Sequence, residues 1–196
     1  MTPAIPATES APRLVIWRHP RPQGAAGRCI GRTDLSVDPR RAKRLAHHIR
    51  RTARRQGWPA EIWTSPLRRG ADVGRWLRRW GWTHRVDPRL FEIDFGAWDG
   101  RPWSELRPDD FAPWDADFLC HAPGAGESVQ QVRLRVREVL ADVAEEKGTA
   151  GAPRLIVGHA GWVNTLRTLH LSDLGPGQWL AAVGYAERVD FQFGSV

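Results

Sequence analysis

Leu14-Val15-Ile16-Trp17-Arg18-His19-Pro20 is the stretch on which the fold of this 196-residue chain turns. Four apolar residues in a row read as a buried strand, and Pro20 and Pro22 break the chain just after it. Arg18 and His19 therefore stand where a strand spills into a loop. In open α/β sheets that carboxyl edge is where ligands bind. The pair suits a phosphate. Arg offers a planar fork of donors for its oxygens, and the His imidazole can attack phosphorus.

A second stretch repeats the arrangement. Arg154-Leu155-Ile156-Val157-Gly158 is another buried strand, and His159-Ala160-Gly161 leads from it into a helix. If the two strands are parallel neighbours, His19 and His159 meet at one sheet edge. His159 also lies at a helix N-terminus, a natural anion site. Between them, strand and helix signals alternate. Asp38-Pro39 starts a helix, with a capping carboxylate and Pro in the first turn, and Gly57 ends it. Ala42, Leu45, Ala46, Ile49 and Ala53 fall at helical spacing. Residues 60–63 are a short strand. A second helix follows Ser65-Pro66, with Val73, Trp76, Leu77 and Trp80 on one face, and residues 85–87 form another short strand. Residues 126–146 are the strongest helix, with Val129, Val132, Val136, Val139, Leu140 and Val143 in a stripe. The helix after His159 carries Val163, Leu166 and His170 on one side. Residues 188–193 close the chain as an alternating strand. This order predicts a three-layer α/β/α sandwich with a mostly parallel central sheet. Residues 88–125 lack clear periodicity and read as an irregular cap insertion with one or two short helices, one starting at Asp109-Asp110. Long connections of this kind are usually functional. The domain is expected over residues 13–196, behind a disordered lead of residues 1–12.

Composition narrows the function classes. The formal charge is +7, and all but two of the 29 basic residues are Arg, the exceptions being Lys43 and Lys147. The Arg residues are scattered over several helices and no nucleic-acid motif is present, so an anionic small molecule is the expected partner, not nucleic acid. No apolar stretch reaches the roughly 20 residues of a membrane span, and the N-terminus lacks a secretory apolar core. Two cysteines make no disulfide framework, which points to the cytoplasm. Cys29 is expected to pack the loop under the site. No P-loop and no nucleophile elbow is present. His47 and His48 are helix neighbours about 100° apart and do not face one metal. No metal and no cofactor are expected. The assembly is expected to be a monomer or homodimer.

Five motifs in order resemble the histidine phosphatase superfamily, also called phosphoglycerate-mutase-like. They are Arg18-His19-Pro20, Ser65-Pro66-Leu67-Arg68-Arg69-Gly70, the segment from Leu90 through Glu92 and Gly96 to Trp98-Asp99-Gly100, Gly126-Glu127-Ser128, and His159-Ala160-Gly161. The resemblance implies that His19 is a nucleophile that becomes phosphorylated. It implies that Arg18, Arg69 and a protonated His159 hold the phosphoryl group, and that Glu92 is the proton donor to the leaving oxygen. Electrostatic positioning of this kind replaces a metal. One buried carboxyl can serve as acid and then as base.

The departures define further expectations. Pro20 stands where the family has Gly, so no N–H is available there. Gln23 or Thr33 is the candidate for a missing polar contact. Motif register favours Arg69 over the adjacent Arg68. Gly27-Arg28-Cys29-Ile30-Gly31-Arg32-Thr33-Asp34 resembles the α-ribazole phosphatase-like branch, which implies α-ribazole 5′-phosphate as substrate, in cobalamin biosynthesis. Trp98 and Trp103 either wall the pocket against a flat base or pack the cap. Glu127 is a further candidate for the pocket. The rivals are a broad-specificity phosphatase, a mutase, and a protein that binds phosphate esters without turnover.

Overall fold

The structure is a computed structural model, and it describes residues 11–145 and 152–193. The expected lead of residues 1–12 lies almost wholly outside them. Five strands form one sheet: β1 (Arg13–Arg18), β2 (Glu61–Thr64), β3 (Thr83–Val86), β4 (Arg154–Gly158) and β5 (Arg188–Gln192), in the order β3-β2-β4-β1-β5. All neighbours are parallel except β5, which runs antiparallel to β1 at one edge. β1 and β4 are the two apolar runs, adjacent and in register, with Arg18 opposite Gly158. His19 and His159, one residue further on each strand, therefore leave the sheet at the same edge.

Both sheet faces are covered because successive strand residues point to opposite sides. Val15, Trp17, Leu155 and Val157 pack against α1 (Pro39–Gln56) and α2 (Arg68–Arg79). Leu14, Ile16 and Ile156 pack against α4 (Val129–Glu145) and α5 (Ala160–Arg167). Each fully buried aliphatic side chain contributes roughly 1.5–3 kcal/mol. The two faces make the expected three layers.

Local chemistry sets the helix ends. Asp38 accepts from Arg40 N at 2.8 Å at the start of α1, and Gly57 at φ 66° ends it in the left-handed conformation that Gly adopts without penalty. α4 starts at Val129, later than the expected 126, because Ser128 and Gln131 cap it reciprocally. The expected end at 146 lies outside the described residues. α5 stops at Arg167, so His170 is not on its face but exposed in the turn that follows.

The cap holds one α-helix, α3 (Pro108–Ala116), among single 3-10 turns. Its own small core is Cys29, Trp98 and Leu106, with Phe111 and Trp114 against them. Among the described residues no helix is long and apolar enough to cross a membrane.

Candidate active site

The β1–β4 edge opens into a cavity of about 530 Å³, and Arg18, His19, Arg69 and Glu92 all line it. The His19 and His159 rings are 5.0 Å apart, both buried. Burial, then the Arg69 charge, holds both imidazoles well below the usual histidine range, so both are neutral at pH 7.

The hydrogen bonds set the tautomers. His19 Nδ1 is 2.8 Å from Pro20 O. A carbonyl only accepts, so Nδ1 carries the hydrogen and Nε2 keeps its lone pair. Pro20 lacks an N–H, but its carbonyl supplies this lock. His159 is the reverse case. Its Nδ1 accepts from Arg69 Nε at 3.3 Å, so its Nε2 donates to Ser65 Oγ at 2.7 Å. An imidazolium has no lone pair for Arg69, so the bond and the burial agree.

Arg69, in the first turn of α2, is 1% exposed. Nη1 donates to Thr33 O at 2.8 Å and Nη2 to Gly31 O at 2.6 Å. Asp99 braces that loop by accepting from Gly31 N and Thr33 N. Arg68 is exposed and meets Asp34 only through its backbone N–H, whereas Arg69 lines the cavity. Arg18 donates to Val183 O at 2.5 Å and stacks on Tyr185, with its guanidinium carbon 3.9 Å from the ring centroid.

Glu92 is buried against the N-terminus of α5. Its Oε1 accepts from Ile93 N, Gly161 N and Trp162 N at 3.1, 2.9 and 3.3 Å. Gly161 is needed here, since a Cβ would stand 2.6 Å from Oε1. All three bonds end on Oε1, which leaves Oε2 as the oxygen on which a proton can sit.

Four expected pocket residues lie elsewhere. Gln23 is exposed and accepts from Ser36 Oγ, because its turn is pinned to the 36–37 segment. Thr33 contributes only its carbonyl, to Arg69. Trp98 is buried in the cap core, whereas Trp103 does line the cavity. Glu127 is engaged by Arg135 through both carboxylate oxygens, at 2.8 and 2.9 Å, and does not line the cavity.

Three further features escaped the sequence reading. Arg135 also donates to the carbonyls of Arg89, Phe91 and Glu92, so it clamps the strand-free segment that carries Glu92. Tyr185, the single Tyr of the chain, has its ring 5.7 Å from that of His19. Trp179, Leu180 and Ala182, from the connection between α5 and β5, complete a wall shared with Phe95 and Trp114. The only signal for them was an unassigned stretch of apolar residues after 171. Among the described residues no cluster of His, Cys, Asp and Glu is placed to hold a metal.

The chain's similarities to known proteins point the same way. The family model for the histidine phosphatase superfamily (branch 1) matches residues 14–190. A glucosyl-3-phosphoglycerate phosphatase of Mycobacterium tuberculosis (strain CDC 1551 / Oshkosh) is 32% identical, over 89% of this chain and 81% of that protein. The solved native structure of a mycobacterial glucosyl-3-phosphoglycerate phosphatase superposes with a TM-score of 0.75 at 27% identity, over 92% of this chain and 89% of that one. The α-ribazole phosphatase of Shigella flexneri has a TM-score of 0.71 at 22% identity, over 91% and 89%, a likeness of fold.

Proposed function

The chain belongs to the histidine phosphatase superfamily and is a phosphatase of that type, and from this premise we propose a metal-independent phosphomonoesterase that works through a phosphohistidine on His19. The observation that carries this reading is the His19 tautomer. Nδ1–H is held by Pro20 O, so the Nε2 lone pair is free in a pocket lined by Arg18 and Arg69.

The Nε2 lone pair attacks phosphorus, and the bond from phosphorus to the ester oxygen breaks. The leaving oxygen takes the proton from Glu92 Oε2. Water then attacks the phosphohistidine, gives a proton back to Glu92, and the N–P bond pair returns to Nε2. Splitting one displacement into two lowers each barrier. Arg18, Arg69 and the positive end of α5 hold the equatorial oxygens, whose charge grows in transit. A phosphate dianion brought beside His159 favours the protonated form of that ring, while His19 stays neutral and keeps its Nε2 lone pair. Once protonated at Nδ1, His159 gives up the bond it accepted from Arg69 and donates to the phosphoryl group.

The substrate is a small ester with a ring and a second acidic group. Trp103, Trp114, Trp179 and Tyr185 offer stacking faces, and Arg21 and Arg28 add cations beyond those for the phosphoryl group. Glucosyl-3-phosphoglycerate meets both demands, and the mycobacterial relatives support it. α-Ribazole 5′-phosphate is the second reading. The Gly27–Asp34 segment that resembles that branch contributes Gly27, Arg28 and Ile30 to the cavity. Two free cysteines, one of them exposed, suit a cytoplasmic enzyme. Steady-state kcat/KM on both esters, with 3-phosphoglycerate and p-nitrophenyl phosphate for comparison, decides between them. No turnover of any ester would leave only phosphate-ester binding.

A further inference from the structure

A second cavity of about 540 Å³ opens beside the first and shares Arg21 and Tyr185 with it. Tyr185 is thus the partition between the two. The far wall is α1. Arg41, Arg44, His48 and Arg51 stand three, four and three residues apart, which puts them on one face of that helix. With Arg21 they make five basic groups in one cavity, and its lining contains no acidic residue.

Abundance of Arg does not explain this arrangement. Several arginines elsewhere have acidic partners: Arg89 with Asp87 and Asp142, Arg135 with Glu127, Arg13 and Arg188 with Asp190. α1 contains no acidic residue at all. Among the described residues the side chains of Arg21, Arg41, Arg44 and Arg51 make no ion pair and no hydrogen bond. Like charges at helical i,i+3 and i,i+4 spacing repel, so an anion that bridges them relieves a cost already present in the fold.

We infer that this cavity is a second anion site, for a small molecule carrying two or more linked phosphate groups. Its volume is that of a small-ligand pocket, and the cations converge on a concavity. A single monoanion would leave most of the cations uncompensated. The ligand sits across Tyr185 from His19.

The test is calorimetric titration with tripolyphosphate at 0.15 M salt, where the screening length is about 8 Å. The protein is first saturated with orthovanadate to fill the His19 cavity. One tripolyphosphate should still bind per chain. Arg44→Ser/Arg51→Ser should weaken it by roughly tenfold or more, since each arginine lost removes charge-assisted hydrogen bonds. Lys43→Ser/Arg54→Ser removes the same charge from the same helix outside the lining, and should change Kd less than twofold. Loss of binding in vanadate overturns the proposal, because the anion then belongs to the catalytic cavity. Equal weakening by both double variants also overturns it, as does an oligonucleotide that binds with equal dependence on both pairs. If vanadate itself fails to bind, the phosphohistidine reading fails, while the two double variants still decide this one. All four positions are exposed, so a thermal melt will show whether each variant is folded.

Discussion

Gly161→Ala tests the proton donor without touching it. A Cβ at 161 would stand 2.6 Å from Glu92 Oε1 and 2.7 Å from Ile93 Cδ1, where ordinary contact begins at 3.4 Å. Glu92 or the start of α5 must therefore yield by about 0.8 Å, and the 2.9 Å bond from Gly161 N must lengthen. A misplacement on the order of 1 Å can cost about 10² in rate. Complete loss of general acid catalysis costs about 10²–10⁴. The displaced carboxylate should fall between these and the wild type, with a loss of about 10–10² for an alkyl phosphate. Glu92→Gln should reach the full range. With p-nitrophenyl phosphate the phosphorylation step should change far less, because nitrophenolate leaves without a proton. Rapid-quench single-turnover kinetics isolates that step from phosphoenzyme hydrolysis, in which Glu92 also takes part. An exposed helical Gly→Ala is otherwise stabilising by roughly 0.5–1 kcal/mol, so a lowered melting temperature reports the clash itself. Equal losses on both substrates would refute the assignment and make Glu92 a structural cap of α5. So would an unchanged alkyl phosphate rate in a variant whose melting temperature has dropped.

His19→Ala should abolish turnover together with the phosphoenzyme, which wild type shows by mass spectrometry after an alkaline quench, since acid destroys the N–P bond. EDTA should leave wild-type activity intact, and a strict requirement for a divalent ion would mean that Arg18 and Arg69 are not the charges that matter. Arg69→Lys keeps one charge but abandons the carbonyls of Gly31 and Thr33 and should lose about 10²–10³ in kcat, whereas Arg68→Ala should stay within twofold of wild type. Because burial lowers the folded-state values of His19 and His159, the unfolded chain binds more protons just below about pH 6.5. The stability these rings contribute is complete above that pH and is lost as pH falls toward their folded values. Urea midpoints at pH 7.5, 6.5 and 5.5 should show the decline, with a shallower slope in His19→Asn; a flat profile would show that the rings are not buried neutral.

The parts that could be read from sequence are those coded by short range. LVIW and LIVG identified themselves as buried strands by composition, and their adjacency then brought His19 and His159 together. Helix ends were legible where one side chain caps them, as Asp38 does. The misplaced pocket residues share a cause. Gln23, Thr33 and Glu127 are polar groups in or near the motifs in sequence, but a polar side chain takes whichever partner the tertiary fold brings first. Ser36 takes Gln23, and Arg135 takes Glu127. Thr33 works only through its backbone, which no residue type announces. Trp98 obeys packing: a large ring clustered with Cys29 and Leu106 gains more by filling the cap core than by facing water.

Arg135 shows why the rest could not be read. The apolar stripe of α4 leaves position 135 on its polar side, where an arginine reads as solvated. Only the fold brings the Glu92 segment across it, so that five donor contacts meet three carbonyls and one carboxylate. A segment with no regular structure has no ladder to satisfy its carbonyls, and buried carbonyls must be satisfied somehow. One planar guanidinium does it for Arg89, Phe91 and Glu92 at once, while the amides of α5 fix the Glu92 carboxylate. The proposed acid is thus held at both ends by groups more than 40 residues away, on two helices that pack on the same face of the sheet. Its position relative to His19 is a property of how α4 and α5 pack, and no local pattern around residue 92 encodes it.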